Sequence, residues 1–345
     1  MRTILGFLFI FSWTFTQAQS SHKGLLYFNK TLTSESIKEV EAKTSGGEIE
    51  VTGVTPSEAR IEVYVTQNDR HESYSKEEIQ KIIESDFEFA VTVSGGKLGA
   101  VSKPKRHFNN WNNSISISYH IYVPIACVTQ LNTSGGDIRI SNLTGAQHFN
   151  TSGGGLVVKA LVGKIDGRTS GGYIKVSDCK DDINLETSGG EIDASHCSGK
   201  IKLTTSGGPL NLNDLSGNIL ATTSGGNVDA EKISGELITH TSGGNISLTG
   251  MRGSLEASTS GGNINIEVLE TGKYVKLSNS GGRVDLQIPK GKGLDLDVHG
   301  DRIRTEGLSN FSGSMEKETI SGKVNGGGVP VNIHAGGGDV TLALK

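Results

Sequence analysis

Four letters, Thr-Ser-Gly-Gly, recur along the middle of this chain without a slip. Their Ser stands at Ser134, Ser152, Ser170, Ser188, Ser206, Ser224, Ser242 and Ser260, each 18 residues after the last. A ninth copy, Asn279-Ser280-Gly281-Gly282, follows after a step of 20. A repeat this short cannot bury an apolar face by itself, so it must stack on its neighbours.

Count the slots of a repeat from its Ser as slot 0. Slots 4 and 6 are apolar, as in Ile138 and Ile140, Ile174 and Val176, Ile192 and Ala194, or Ile264 and Ile266. Slot 5 between them is mostly polar: Arg139, Lys175, Asp193, Asn211, Asp229, Ser247, Asn265. That alternation is a strand with one buried face. Slots 13 and 15 repeat it (Ile183 and Leu185, Ile201 and Leu203), and slots 2 and 11 are usually Gly. The 18-residue unit therefore reads as two nine-residue halves, each a Gly corner followed by a short strand.

Stacking puts like slots above one another about 4.8 Å apart and pairs every backbone group with the turns above and below. The expected fold is all-β, a parallel β-solenoid, right-handed as parallel crossovers are by default. Eight to nine turns make a rod roughly 40 Å long. Apolar residues at slots 4, 6, 9, 13 and 15 favour two sheets per turn over the three-sided helix of hexapeptide repeats. Gly at the corners is expected to supply φ > 0.

The residue before each Ser forms a second column: Thr133, Thr151, Thr169, Thr187, Thr205, Thr223, Thr241 and Thr259. By alternation it faces inward, with its hydroxyl bonded to neighbouring backbone or to the next Thr. The Thr/Ser ladder is read as structural; a hydroxyl row that holds a ligand or nucleates ice is the alternative.

Residues 1–18 carry Arg2, an apolar core from Ile4 to Phe15 and a small residue, Ala18, which is the pattern of a secretory signal peptide. The run is too short for a stable membrane span. Residues 19–130 are less regular and read as an N-terminal cap with the first turns. They contain an outlying repeat copy at Thr44 to Val51, a helix near 75–87 started by Ser75, and strands at Arg60 to Thr66, Phe87 to Val93 and Ser114 to Val123. A polar loop around Trp111 joins the last two. Residues 131–286 are the regular solenoid, and 287–345 its irregular last turns, with Gly runs at 326–328 and 336–338. Covered ends are required, because a solenoid end exposes unpaired strand edges.

Forty-eight Gly, 6 Pro and 10 Phe in 345 residues set the chain apart from ordinary globular enzymes, and a mild net charge of −4 without a polybasic stripe does not suggest nucleic acid. Three cysteines occur. Cys179 and Cys197 both occupy slot 9, otherwise Leu, Ile or Met, so they read either as a disulfide between adjacent turns or as stacked core thiols. Cys127 is left over as a buried thiol. His196 beside the pair is too little for a metal centre.

The T-S-G-G-x-I-x-[LVIA] units, the outlying copy at Thr44 to Val51, the segment Ile121-Tyr122-Val123-Pro124 leading into the repeats and the Gly-rich end after Ile320 together resemble the bacterial putative adhesin family. That is a broad group of exported β-solenoid proteins of unknown function. The resemblance covers about residues 30–345 and implies the same fold; it brings no catalytic or binding residues to carry over.

Candidate chemistry is sparse. The calcium β-roll pattern G-G-x-G-x-D fails at Gly261 to Ile266, and Asp193 and Asp229 lie two turns apart. Asp178, Asp181, Asp182 and His196 gather near one corner, and Lys175 stands above Asp193; these are the residues a carbohydrate-active β-helix would use, with a solvated, charge-mixed surface as the plainer reading. Constant turn length leaves no inserted loops to build a cleft. The expectation is a non-enzymatic, monomeric, exported envelope protein without cofactor, catalytic residue or metal. It would reside in the periplasm, on the outer-membrane surface or outside the cell and face an envelope, matrix or glycan partner. The alternative is a polysaccharide lyase or hydrolase.

Overall fold

The computed structural model describes residues 24–67, 74–105 and 115–345. The signal-peptide segment and the loop around Trp111 lie outside them. About two-thirds of the described residues lie in strands, mostly parallel, in one sheet that does not close, with a single α-helix.

Each regular turn contributes a short strand, such as Ile192–Ser195, and a longer one, such as Lys180–Thr187. Like strands pair in parallel with residues 18 apart: Ile174 with Ile192, Ile192 with Leu210, Ile183 with Ile201. Slots 4, 6, 9, 13 and 15 fill one continuous core, with Ile165, Ile183, Leu185, Ile192, Leu203 and Leu210 fully buried. Side-chain volume is shared between layers. The ring of Phe149 occupies the space a Cβ on Gly167 would need, 2.1 Å from it.

The glycine corners divide into two kinds. At slot 11, Gly163, Gly199, Gly217 and Gly235 have φ of 113–120°, as the turn-geometry argument requires. At slot 2 the φ is ordinary and the reason is steric. A Cβ on Gly190 would sit 2.0 Å from the carbonyl oxygen of Gly172 in the turn before, and Gly154, Gly172, Gly208 and Gly226 repeat this within 0.1 Å. Slot 8 is left-handed without glycine: Asn142, Ala160, Asp178, His196, Asp214 and Lys232 have φ of 52–63°.

Asp181 takes the slot-11 place with φ of 84°. Left-handed backbone costs a non-glycine residue about 1–2 kcal/mol, against about 0.5–1 kcal/mol of extra unfolded-chain entropy for Gly. Asp181→Gly is therefore expected to raise stability by about 0.5–1 kcal/mol in equilibrium urea unfolding; a lowered midpoint would contradict the account.

Both ends depart from sequence order. Strands Glu39–Lys43 and Ile49–Val54 pair directly with Val128–Asn132 and Ile138–Ser141, 89 residues later, so the outlying repeat copy is the layer beneath the first regular one. The chain between them forms the covering. Ile115–Pro124 and Lys97–Pro104 pair on the far side of that layer, followed by Arg60–Gln67, Phe87–Ser94 and Leu25–Thr31 in antiparallel pairs. The helix Lys76–Asp86 starts in a capping box, with Ser75 Oγ accepting from Glu78 N–H and the Glu78 carboxylate accepting from Ser75 N–H at 2.7 Å, and buries Ile79 and Ile83. At the other end, Val329–Ala335 and Asp339–Leu344 lie between the 264–288 layer and the strands Leu294–His299 and Arg302–Glu306, which precede them in sequence. Two antiparallel strands, Thr319–Val324 and Phe311–Met315, finish the edge.

Candidate binding face

Stacking converts each outward slot into a row that runs along the rod. Slot 5 reads Lys175, Asp193, Asn211, Asp229, Ser247 in direct register, and slot 7 reads Ser177, Ser195, Asn213, Glu231, Thr249. Between Asp193 and Thr249 these rows enclose a shallow groove of about 430 Å³. Its rim offers three carboxylates, Asp193, Asp229 and Glu231, with amides and hydroxyls between them. Asn211 Nδ2 donates to Asp193 Oδ1 at 2.6 Å, and Asn213 Nδ2 donates to Glu231 Oε2 at 3.4 Å. Bridged in this way, the side chains lose much of their rotamer freedom before any ligand arrives. The slot-5 row is legible in the sequence; the groove comes from the slot-7 row that the register sets beside it.

The Thr column faces inward and the Ser column is exposed. Each Thr hydroxyl donates to the slot-2 carbonyl of the turn before and accepts from the slot-2 N–H of its own turn. For Thr187 these bonds reach Gly172 O at 2.8 Å and Gly190 N at 3.3 Å. Thr133, Thr151, Thr169, Thr205, Thr223, Thr241 and Thr259 donate in the same way, at 2.7–3.0 Å. Asn279 does the work of Thr in the ninth copy, its Nδ2 donating to Gly262 O at 2.8 Å and its Oδ1 accepting from Gly281 N and Gly282 N.

Cys127, Cys179 and Cys197 are buried thiols, and no bond joins Cys179 to Cys197. The two sulfurs donate to Ser177 O and Ser195 O, each at 3.2 Å. The adjacent Cys197 sulfur and burial push the Cys179 thiol far above the ordinary thiol range. Burial raises Cys127 to about 12. Neither is poised to react as a thiolate.

The corner carboxylates Asp178, Asp181 and Asp182 are exposed, and no ion pair engages them among the described residues. His196 reaches Asp214 at 3.9 Å rather than those carboxylates. Lys175 lies beside Asp193 in register, yet its ammonium sits over the Tyr173 ring at 5.4 Å. Among the described residues, no group of three or more His, Cys, Asp or Glu side chains is arranged to hold a metal ion, and no helix is long and apolar enough to cross a membrane.

A polar cluster absent from the sequence reading closes the first layers. Arg60 stacks 3.6 Å over the Tyr122 ring and donates through Nε to Glu62 at 2.7 Å, while Tyr64 OH donates to the same carboxylate at 3.0 Å. Burial and that hydrogen bond raise Tyr64 to about 12. The cluster needs the antiparallel pairing of Arg60–Gln67 with Ile115–Pro124, which no local pattern announces.

No curated protein matches the chain. Among solved structures, a putative cell adhesion protein from Clostridium sporogenes is 12% identical, over 92% of this chain and 98% of that one, with a TM-score of 0.20. A putative adhesin from Bacteroides fragilis is 11% identical, over 92% and 96%, with a TM-score of 0.26. At these scores neither carries an argument about the fold. The family described as Toastrack DUF4097 matches residues 167–343, which is more than half of the chain and spans most of the regular layers together with the reordered end. This chain belongs to the Toastrack DUF4097 family.

Proposed function

We propose that this protein is a non-enzymatic, exported surface of the cell envelope, wound right-handed, that holds a hydroxyl-rich polymer along the groove between Asp193 and Thr249. The observation that carries the reading is the in-register row of Asp193, Asn211, Asp229 and Ser247 beside Asn213, Glu231 and Thr249. Carboxylates accept from sugar hydroxyls, and amides both donate and accept, at a spacing near 4.8 Å that repeats along the rod. The leader-like residues 1–18 motivate export.

Binding of the purified chain to a panel of envelope and matrix polysaccharides is the test. At least one polymer is expected to bind, and Asp229→Ala with Glu231→Ala is expected to weaken it at least about tenfold, because a hydrogen bond to a charged group contributes about 1.5–3 kcal/mol. Equal binding by the variant would remove the groove from the account. Release of shortened polymer would overturn the non-enzymatic reading in favour of a carbohydrate-active β-helix.

A further inference from the structure

The reordered end brings together two histidines that lie 35 residues apart in sequence. Val329–Ala335 pairs on one side with Ile264–Asn279 and on the other with Leu294–His299, so His334 stands directly between Ser278 and His299. Both imidazoles are exposed on the same outward face. Their ring centroids are 6.1 Å apart at an interplanar angle of 56°. Metal–nitrogen bonds of about 2.0–2.1 Å, added to the ring radius, set two imidazoles on one tetrahedral ion roughly 5 Å apart, centre to centre. The pair therefore has to close by about 1 Å to share an ion, which rotation of two exposed side chains supplies.

A second observation points the same way. His299 Nε2 lies 3.0 Å from Asp297 Oδ1, two residues back on the same face. A carboxylate that accepts from one ring nitrogen fixes the tautomer and leaves the lone pair on the other, here Nδ1, which is the usual arrangement behind a metal-bound histidine. The pair lines a groove of about 320 Å³ shared with Lys276, Ser278 and Asn332. The Lys276 ammonium is paired with Glu256 at 3.6 Å, which offsets its repulsion of an incoming cation.

We propose that His299 and His334 form a two-histidine site for a borderline divalent transition ion, zinc or copper, with Asp297 as the orienting carboxylate and water in the remaining positions. Imidazole nitrogen selects these ions over magnesium and calcium. The site is independent of the polymer groove, which lies on the other ladder of strands. Its open positions face the 320 Å³ groove, so a bound ion would offer a landing point for a carboxylate-bearing ligand.

Zinc titration of the tag-free chain by calorimetry, with histidine ring signals followed by NMR, tests it. One zinc per chain is expected to perturb both rings. His299→Ala and His334→Ala should each weaken binding at least about tenfold, and Asp297→Asn by about 10–100-fold. His240→Ala, on the same face but bonded to Ser258, should bind as the parent does. His299→Gln provides a second variant should the alanine chain melt early. Parent-like zinc binding by the histidine variants, or no binding by the parent at millimolar zinc, overturns the site; a parent-like Asp297→Asn overturns the role given to the carboxylate.

Discussion

Gly190→Ala is expected to destabilise the protein by about 3 kcal/mol or more, while Gly189→Ala stays within about 1 kcal/mol of the parent. The two glycines are adjacent, exposed or half-exposed, and identical in sequence logic. They differ in what a methyl group would meet. At Gly189 the closest atoms lie 3.8 Å away, an ordinary contact. At Gly190 the Cβ would fall 2.0 Å from Gly172 O and 2.5 Å from its carbon. That obstacle is backbone in a hydrogen-bonded layer, so no side chain can rotate out of the way, and layers in register cannot part locally without losing pairing on both sides. Urea unfolding of the two variants side by side decides it. Equal midpoints would mean that the stack yields more than its geometry allows.

Thr187→Val carries the second large effect, about 2–3 kcal/mol. Valine keeps the shape and the inward packing and removes only the hydroxyl, which leaves the Gly172 carbonyl and the Gly190 N–H without the bonds they make to Thr187 at a site where that side chain is 1% exposed. Both orphaned groups are half-buried, so they lose much of their desolvation energy rather than a net hydrogen bond. The chain supplies its own control: Asn279 makes the same bridge with an amide. Thr187→Asn is accordingly expected to recover most of the loss in thermal unfolding. If valine and asparagine behave alike, the column contributes by packing and not by its hydroxyl.

The regular layers were legible because one physical constraint, identical slots lying on one another, forces both the period and the buried slots 4, 6, 9, 13 and 15. Where several residue types satisfy a constraint, the sequence is silent. Slot 8 bends left-handed in Asn142, Ala160, Asp178, His196, Asp214 and Lys232, which share no chemistry that a motif could register. The letters alone suggest that the slot-2 glycines serve φ > 0, whereas their reason is steric, a distinction that depends on the distance between layers and not on the order of letters. The sequence sets Asp193, Asn211 and Asp229 in one slot, and the register adds Asn213 and Glu231 beside them to make the groove. The two histidines could not have been paired from sequence at all. Their encounter requires the 329–344 layer to enter beneath strands that come earlier, and Gly336-Gly337-Gly338 lacks the Thr-Ser letters that would mark it as a corner in the main stack.

That reordering also dictates where such a rod can change length. Strand Arg302–Glu306 pairs only with Asp339–Leu344 among the described strands, so a cut or copy made there strands one of the two. The same holds at the beginning, where Glu39–Lys43 is clasped between Lys97–Pro104 and Val128–Asn132. Between Leu131 and Leu286 successive layers are also successive in sequence, and losing or doubling 18 residues brings one equivalent strand onto another, with about 4.8 Å of reach removed or added. Both ends act as fixed fittings, and the interior is the one stretch in which replication slippage can lengthen or shorten the protein while leaving its closure untouched.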